Sequence, residues 1–285
     1  MIKTDYEFEG MSQFRLPFCL ELEGLLLQFV MDNRREYTAE FLSGHEVRWA
    51  EDGGEPRTDH YDCLKVDDDV FYVNMELAGS VPRTGYAVAI DFEEMLVTAV
   101  VAKQDETGRD AYFTKTEVVF GALRRPDGSV NKKRHRYTAD KVGTAICWTY
   151  DPDFAIIHTY PTERYFGNIL AYYRHLRNTD LINDMLHPDR KIAWSNGPWD
   201  AVDWIKIKEG IYMFSFVEGE GQDPCPVKLR KRNSLCFVFN LKRLQNYGRL
   251  FGYNDNGYRE NYMFCAYGQY LNMEPLEHKE NEFFV

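Results

Sequence analysis

Two segments of this chain are copies of one another, and that repetition limits the architectures open to it. Residues 64–76 return at 205–218, with Val70 answered by Ile211 at a spacing of 141. Each copy is a pair of short apolar runs about a turn, and each ends in a glutamate, Glu76 or Glu218. The strand at 86–93 is answered by 235–242, now at a spacing of 149, and the strands at 96–101 and 247–253 follow in the same order. The wider spacing puts an insertion in the second copy at 219–234, carrying Lys228, Arg230, Lys231 and Arg232. Upstream, 45–51 about Trp49 is matched to 190–195 about Trp194, and 25–30 to 144–150. An ordered series of matched strands implies two tandem units of one fold.

The elements are mostly strands. Short runs near 25–30, 36–42, 45–50, 60–66, 70–77, 85–92 and 95–103 alternate or are solidly apolar between turn residues, and runs at 111–124 and 130–137 lengthen the first unit. Residues 138–141 read as the junction, which divides the chain into 1–137 and 138–285. Many short strands in two copies predict two antiparallel barrels or sandwiches, and closing each barrel removes its exposed edges. One segment departs from this: near 166–187, Ile169, Leu170, Tyr173, Leu176 and Ile182 fall at helical spacing and predict a helical insertion in the second unit, as a cap or a lid.

Side-chain alternation selects a candidate site. Tyr212, Phe214, Phe216 and Glu218 share one face of their strand, Ile146, Trp148 and Tyr150 one face of another, and Phe154, Ile156, His158 and Tyr160 one face of a third. Apolar walls with a few polar groups are the composition of a small-molecule pocket, to which Trp194 is also assigned. Enclosed there, Glu218 would have its carboxyl pKa raised toward the range of a general acid or base, with Tyr150, Tyr160 and His158 orienting the substrate. A buried glutamate satisfied by a tyrosine hydroxyl is the structural alternative. In the first copy Glu76 shares its face with Tyr72 and Asn74, and pairing with Arg48 or Arg57 would make a salt bridge as readily as an active site.

Charge and composition narrow the partners. A net charge of −11 opposes binding to nucleic acid, and the basic run Lys132, Lys133, Arg134, His135, Arg136 follows a turn and reads as a solvated arm. The six cysteines show no Cys-x-x-Cys pair and the seven histidines no short ligand pair, so reduced thiols, no metal and no cofactor are expected. No apolar stretch approaches 18 residues and the N-terminus lacks a basic start, so a cytoplasmic protein without a membrane span is expected, compatible with a homodimer.

The block Gly143 to Pro152, with His158-Thr159-Tyr160 and Arg164-Tyr165, resembles the C-terminal domain of the molybdenum-cofactor biosynthesis protein F (MoaF) family, as do 204–218 and 237–253. The first half is similar to the family's N-terminal domain through His60-Tyr61-Asp62, 70–73 and Ile90-Asp91. The same blocks resemble phenolic acid decarboxylases, single lipocalin-like barrels whose paired carboxylate-holding tyrosines match Trp148 and Tyr150 and whose catalytic glutamate matches Glu218. One of the pair is a tryptophan here, and the partner arginine falls near Ser195, where there is none. The resemblance implies tandem lipocalin-like (calycin) barrels. It implies either a cofactor-independent lyase or isomerase (decarboxylation, dehydration or cyclisation) acting on a small aromatic or polyketide-like molecule, or a non-catalytic carrier, or an accessory protein of molybdenum cofactor biosynthesis.

Overall fold

The computed structural model describes residues 13–107, 113–152, 154–173, 200–218, 232–253 and 258–271. The first eight strands run up and down in sequence order and close on themselves. They are β1 (Leu26–Met31), β2 (Glu36–Phe41), β3 (Glu46–Glu51), β4 (Arg57–Lys65), β5 (Val70–Glu76), β6 (Arg83–Asp91), β7 (Leu96–Gln104) and β8 (Thr114–Leu123). After the two-residue β9 (Arg136–Tyr137), the second barrel repeats the plan with β10 (Thr144–Asp151), β11 (Phe154–Tyr160), β12 (Tyr165–Tyr173), β13 (Asp200–Lys208), β14 (Ile211–Val217), β15 (Ser234–Asn240), β16 (Gln245–Tyr253) and β17 (Arg259–Tyr270). Pairing of β12 with β13 and of β10 with β17 closes it. This is the predicted all-β pair of lipocalin-like antiparallel barrels.

Two expectations change. Residues 165–173 form a strand, not the start of a helix: pairing with β11 along 154–159 and with β13 at 200–201 outweighs a helical spacing, and without this strand the barrel would be left open. Residues 174–187, the rest of the proposed helix, lie outside the described residues, as do Trp194 and 219–231. The short β9 joins β13 of the second barrel through Tyr137 and Ile205 rather than lengthening the first. The basic run before it is tied down, because Arg134 donates to Asp32 and buried His135 lies 2.8 Å from the Thr98 hydroxyl.

The barrels pack face to face. Leu64, Val70, Tyr72, Ala87, Ala89 and Val100 of the first meet Ile205, Ile211, Met213, Cys236, Val238 and Met263 of the second in one buried cluster. Strands β5–β7 and β14–β16 are therefore buried on both sides over most of their length, whereas β1–β3, with one face to solvent, alternate. At one end of the seam, acidic turns of the first barrel meet basic residues of the second. Arg243 of the second barrel reaches Asp67 in the β4–β5 turn, while Lys208, at the β13–β14 turn, reaches Asp69 and Glu93 of the first. Among the described residues, no helix is long and apolar enough to cross a membrane.

Candidate functional site

Strand register fixes which residues are equivalent in the two barrels. Val70 pairs with Asp91 and Ile211 with Asn240, and Asp91 and Asn240 pair in turn with Leu96 and Gln245, so the spacings of 141 and 149 hold strand by strand. Glu76 then answers Val217, and Glu218 answers Leu77. The two glutamates end their strands one residue out of step, and one residue reverses the face. Glu76 points away from its barrel interior; the alternation of β14 carries Glu218 inward.

The wall predicted in the second barrel is present. Ile146, Trp148, Tyr150, Tyr160, Tyr212, Phe214 and Phe216 all belong to its interior cluster, and His158 is 2% exposed among them. Trp148 Nε1 donates to the Tyr160 hydroxyl (3.4 Å), which lies 3.3 Å from His158 Nδ1, and Asn246 donates to the Tyr150 hydroxyl at 3.4 Å. Burial pushes the Tyr150 and Tyr160 phenols up and the His158 imidazole down to about 3, so His158 is neutral at ordinary pH. Glu218 is half-buried at the strand end, with its amide donating to the Asn233 carbonyl at 2.9 Å. Tyr212 reaches outward from the barrel end to hydrogen-bond Asp140.

Among the described residues, aromatic rings crowd this interior. Trp148 stacks on Phe239 at 4.8 Å, Trp204 lies 4.6 Å from Phe214, and Phe166 lies 4.4 Å from Phe216. Aromatic rings occupy the place the sequence reserves for a substrate.

The first barrel differs at the same positions. Val73, Met75, Val88, Ile90 and Val119 stand where the second barrel has Phe214, Phe216, Phe237, Phe239 and Phe264. A barrel of equal strand number lined by smaller side chains is left hollow. It holds an apolar cavity of about 100 Å³, lined by these residues with Phe29, Ala39, Trp49 and Ala99, and with Asn33, Tyr37 and Tyr86 as its polar groups. The Tyr37 and Tyr86 hydroxyls hydrogen-bond each other, and burial pushes the Tyr86 phenol up to about 12. The legible signal was the inward residue volume of each copy, which strand parity alone does not weigh.

The remaining first-barrel candidates lie outside this cavity. Tyr72 is fully buried in the seam, donating to the Cys236 carbonyl at 2.8 Å. Glu76 pairs with Arg83, which the sequence reading did not single out, rather than with Arg48 or Arg57. Arg48 pairs with Glu40 on the outer surface. All three side chains are outward on the strand, so none lines the cavity.

Residues 8–106 match the family model described as the MoaF N-terminal domain, a span that runs through β1–β7 of the first barrel. No curated protein matches the chain.

Proposed function

We propose that this MoaF-like protein binds a small apolar molecule inside its first barrel, as a carrier or sensor. The observation that carries this reading is the exchange of five interior phenylalanines of the second barrel for smaller side chains in the first, around a cavity of about 100 Å³. That volume suits a one-ring molecule, by comparison with an engineered cavity of roughly 150 Å³ that accepts benzene. Tyr37, Tyr86 and Asn33 supply hydrogen bonds for one polar substituent. Giving the first barrel the second's residues, in the variant Val73→Phe/Val88→Phe, is expected to weaken phenol binding at least about tenfold in titration calorimetry, since overpacking displaces the ligand. Unchanged affinity in a folded variant rejects the assignment.

A second reading keeps chemistry in the second barrel, favoured by the chain of Trp148, Tyr160 and His158 on the wall that Glu218 continues. There Glu218 would act as acid or base in a lyase or isomerase reaction on a small aromatic molecule, with Tyr150 and Tyr160 as donors. Under this reading Glu218→Gln abolishes consumption of the molecule retained by protein from its native host, while folding is kept. Equal turnover by the variant removes Glu218 from the mechanism.

A further inference from the structure

The outer wall of the first barrel brings two imidazoles and a carboxylate together. His60 and Asp62 are two residues apart on β4 and share its outward face, while Tyr61 between them is buried in the barrel interior. His45, in the turn before β3, is held beside them by the Tyr61 amide, which donates to its carbonyl at 3.0 Å. The His45 and His60 rings are parallel, 5.5 Å between centroids, and Phe18 packs edge-on against His45 at 5.6 Å. Asp62 Oδ1 lies 3.3 Å from His45 Nδ1 and 3.2 Å from His60 Nε2. One donor atom from each residue falls within 4.8 Å of the other two.

These separations have a chemical meaning. Two ligand atoms, each about 2.0–2.1 Å from a tetrahedral ion, stand about 3.3 Å apart. We propose that His45, His60 and Asp62 form a binding site for a divalent transition metal, zinc by donor type, on the outside of the first barrel. Two imidazole nitrogens with one carboxylate select zinc and its neighbours over magnesium or calcium, which take oxygen shells. The His45 and His60 side chains are 45% and 63% exposed, so the fourth position faces solvent. Coordination replaces a 3.4 Å contact of His45 Nδ1 with the Tyr61 carbonyl. The site is separated from the cavity by the barrel wall, because the side chain between its two β4 ligands points inward; the ion fastens the turn before β3 to β4 rather than acting on the cavity's ligand.

A second acidic group, Asp69, Asp91 and Glu93, makes a useful contrast. Its charge is already met by Lys208, which lies 2.5 Å from Asp69, 3.8 Å from Asp91 and 2.6 Å from Glu93. Among the described residues, no lysine or arginine pairs with Asp62, whose partners are the two imidazoles.

Cobalt(II) is the probe. The full chain, without an affinity tag and stripped with chelator, is expected to bind one equivalent of Co²⁺ with visible absorption bands of a four-coordinate site, which Zn²⁺ then bleaches. Affinity should fall at least about tenfold in His60→Ala and in Asp62→Asn, both at solvent-accessible positions where folding is checked by circular dichroism. A wild-type chain without saturable Co²⁺ binding overturns the site and leaves Asp62 as a hydrogen-bond partner of two histidines. So does binding that persists unchanged in His45→Ala/His60→Ala.

Discussion

Replacing Arg83 by alanine is expected to destabilise the protein by about 3–5 kcal/mol, measured by urea unfolding, because the substitution strands a buried carboxylate. Arg83 is 3% exposed and makes two parallel 2.8 Å bonds to Glu76. The same guanidinium donates across the seam to the carbonyls of Gly252 and Glu260 and lies over Phe251 at 4.2 Å. One side chain therefore neutralises a charge of the first barrel and satisfies two backbone acceptors of the second. Lysine cannot reproduce the forked geometry, so Arg83→Lys should recover only part of the loss. The double variant Arg83→Met/Glu76→Leu should be markedly more stable than Arg83→Ala alone, since it removes the stranded charge with its partner. A loss below about 1 kcal/mol in Arg83→Ala would mean that the pair behaves as an exposed one, and the seam would lose its principal polar tie.

Next to this pair sits a second buried guanidinium. Arg249 is 0% exposed and donates through Nε to Asn74 and Asn261, while Nη1 and Nη2 have no hydrogen-bond partner among the described residues. Desolvation lowers its pKa to about 10, which leaves it charged near neutrality, and its guanidinium lies over the Phe251 ring at 4.5 Å. Gly85 makes room for it, because a Cβ there would collide with Nη2 and with Phe251. Arg249 stands where the first barrel has Val100, so the two faces of the repeat have diverged into complementary rather than identical partners. Two barrels of one chain thus pack as an asymmetric pair, fixed in register by Arg249 within the seam, by Arg83 toward one end and by the ion pairs of Arg243 and Lys208 at the other.

Most of this frame is legible in the sequence, and what is not has identifiable causes. The spacings of 141 and 149 and the alternation in β10, β11 and β14 depend on local pattern, so the two barrels and the wall of Trp148, Tyr150, His158 and Tyr160 could be read directly. Glu76 and Glu218 look equivalent because each ends its copy, but they are one residue out of step, and a slip of one residue is invisible in composition and reverses the face. The helical reading of 166–173 failed because its apolar spacing fits a helix in a short window, whereas the neighbours of β12 on both sides are strands distant in sequence. Doubly buried runs such as β14 carry no alternation to tell barrel interior from seam, so Tyr72 could not be assigned to the second barrel's surface. Aromatic richness marks a pocket only if the rings leave space, and here Phe214, Phe237 and Phe239 consume it.

The same filling predicts the protein's response to acid. His158 is enclosed by Phe166, Phe214 and Phe237, with centroids at 5.5, 6.1 and 6.0 Å, and burial lowers its pKa from 6.5 to about 3. Below pH 6.5 the unfolded chain takes up a proton that the folded chain refuses, so stability rises with pH and is lost as pH falls from 6.5 toward about 3. The slope is about 1.4 kcal/mol per pH unit, or about 2 kcal/mol between pH 6.5 and 5. Other groups act in different windows. Asp140, held down to about 2 chiefly by Lys206, contributes a loss only below its usual 3.8, and His60, raised by Asp62, contributes stability that is lost on the alkaline side of 6.5. His158→Phe removes the imidazole partner of the Tyr160 hydroxyl and should cost about 1–3 kcal/mol at pH 7, yet flatten the acid slope. Urea midpoints at pH 7, 6.5, 6 and 5 separate the two effects. If wild type and variant lose stability in parallel between pH 6.5 and 5, the buried imidazole is not the group that titrates, and the second barrel must admit water to His158.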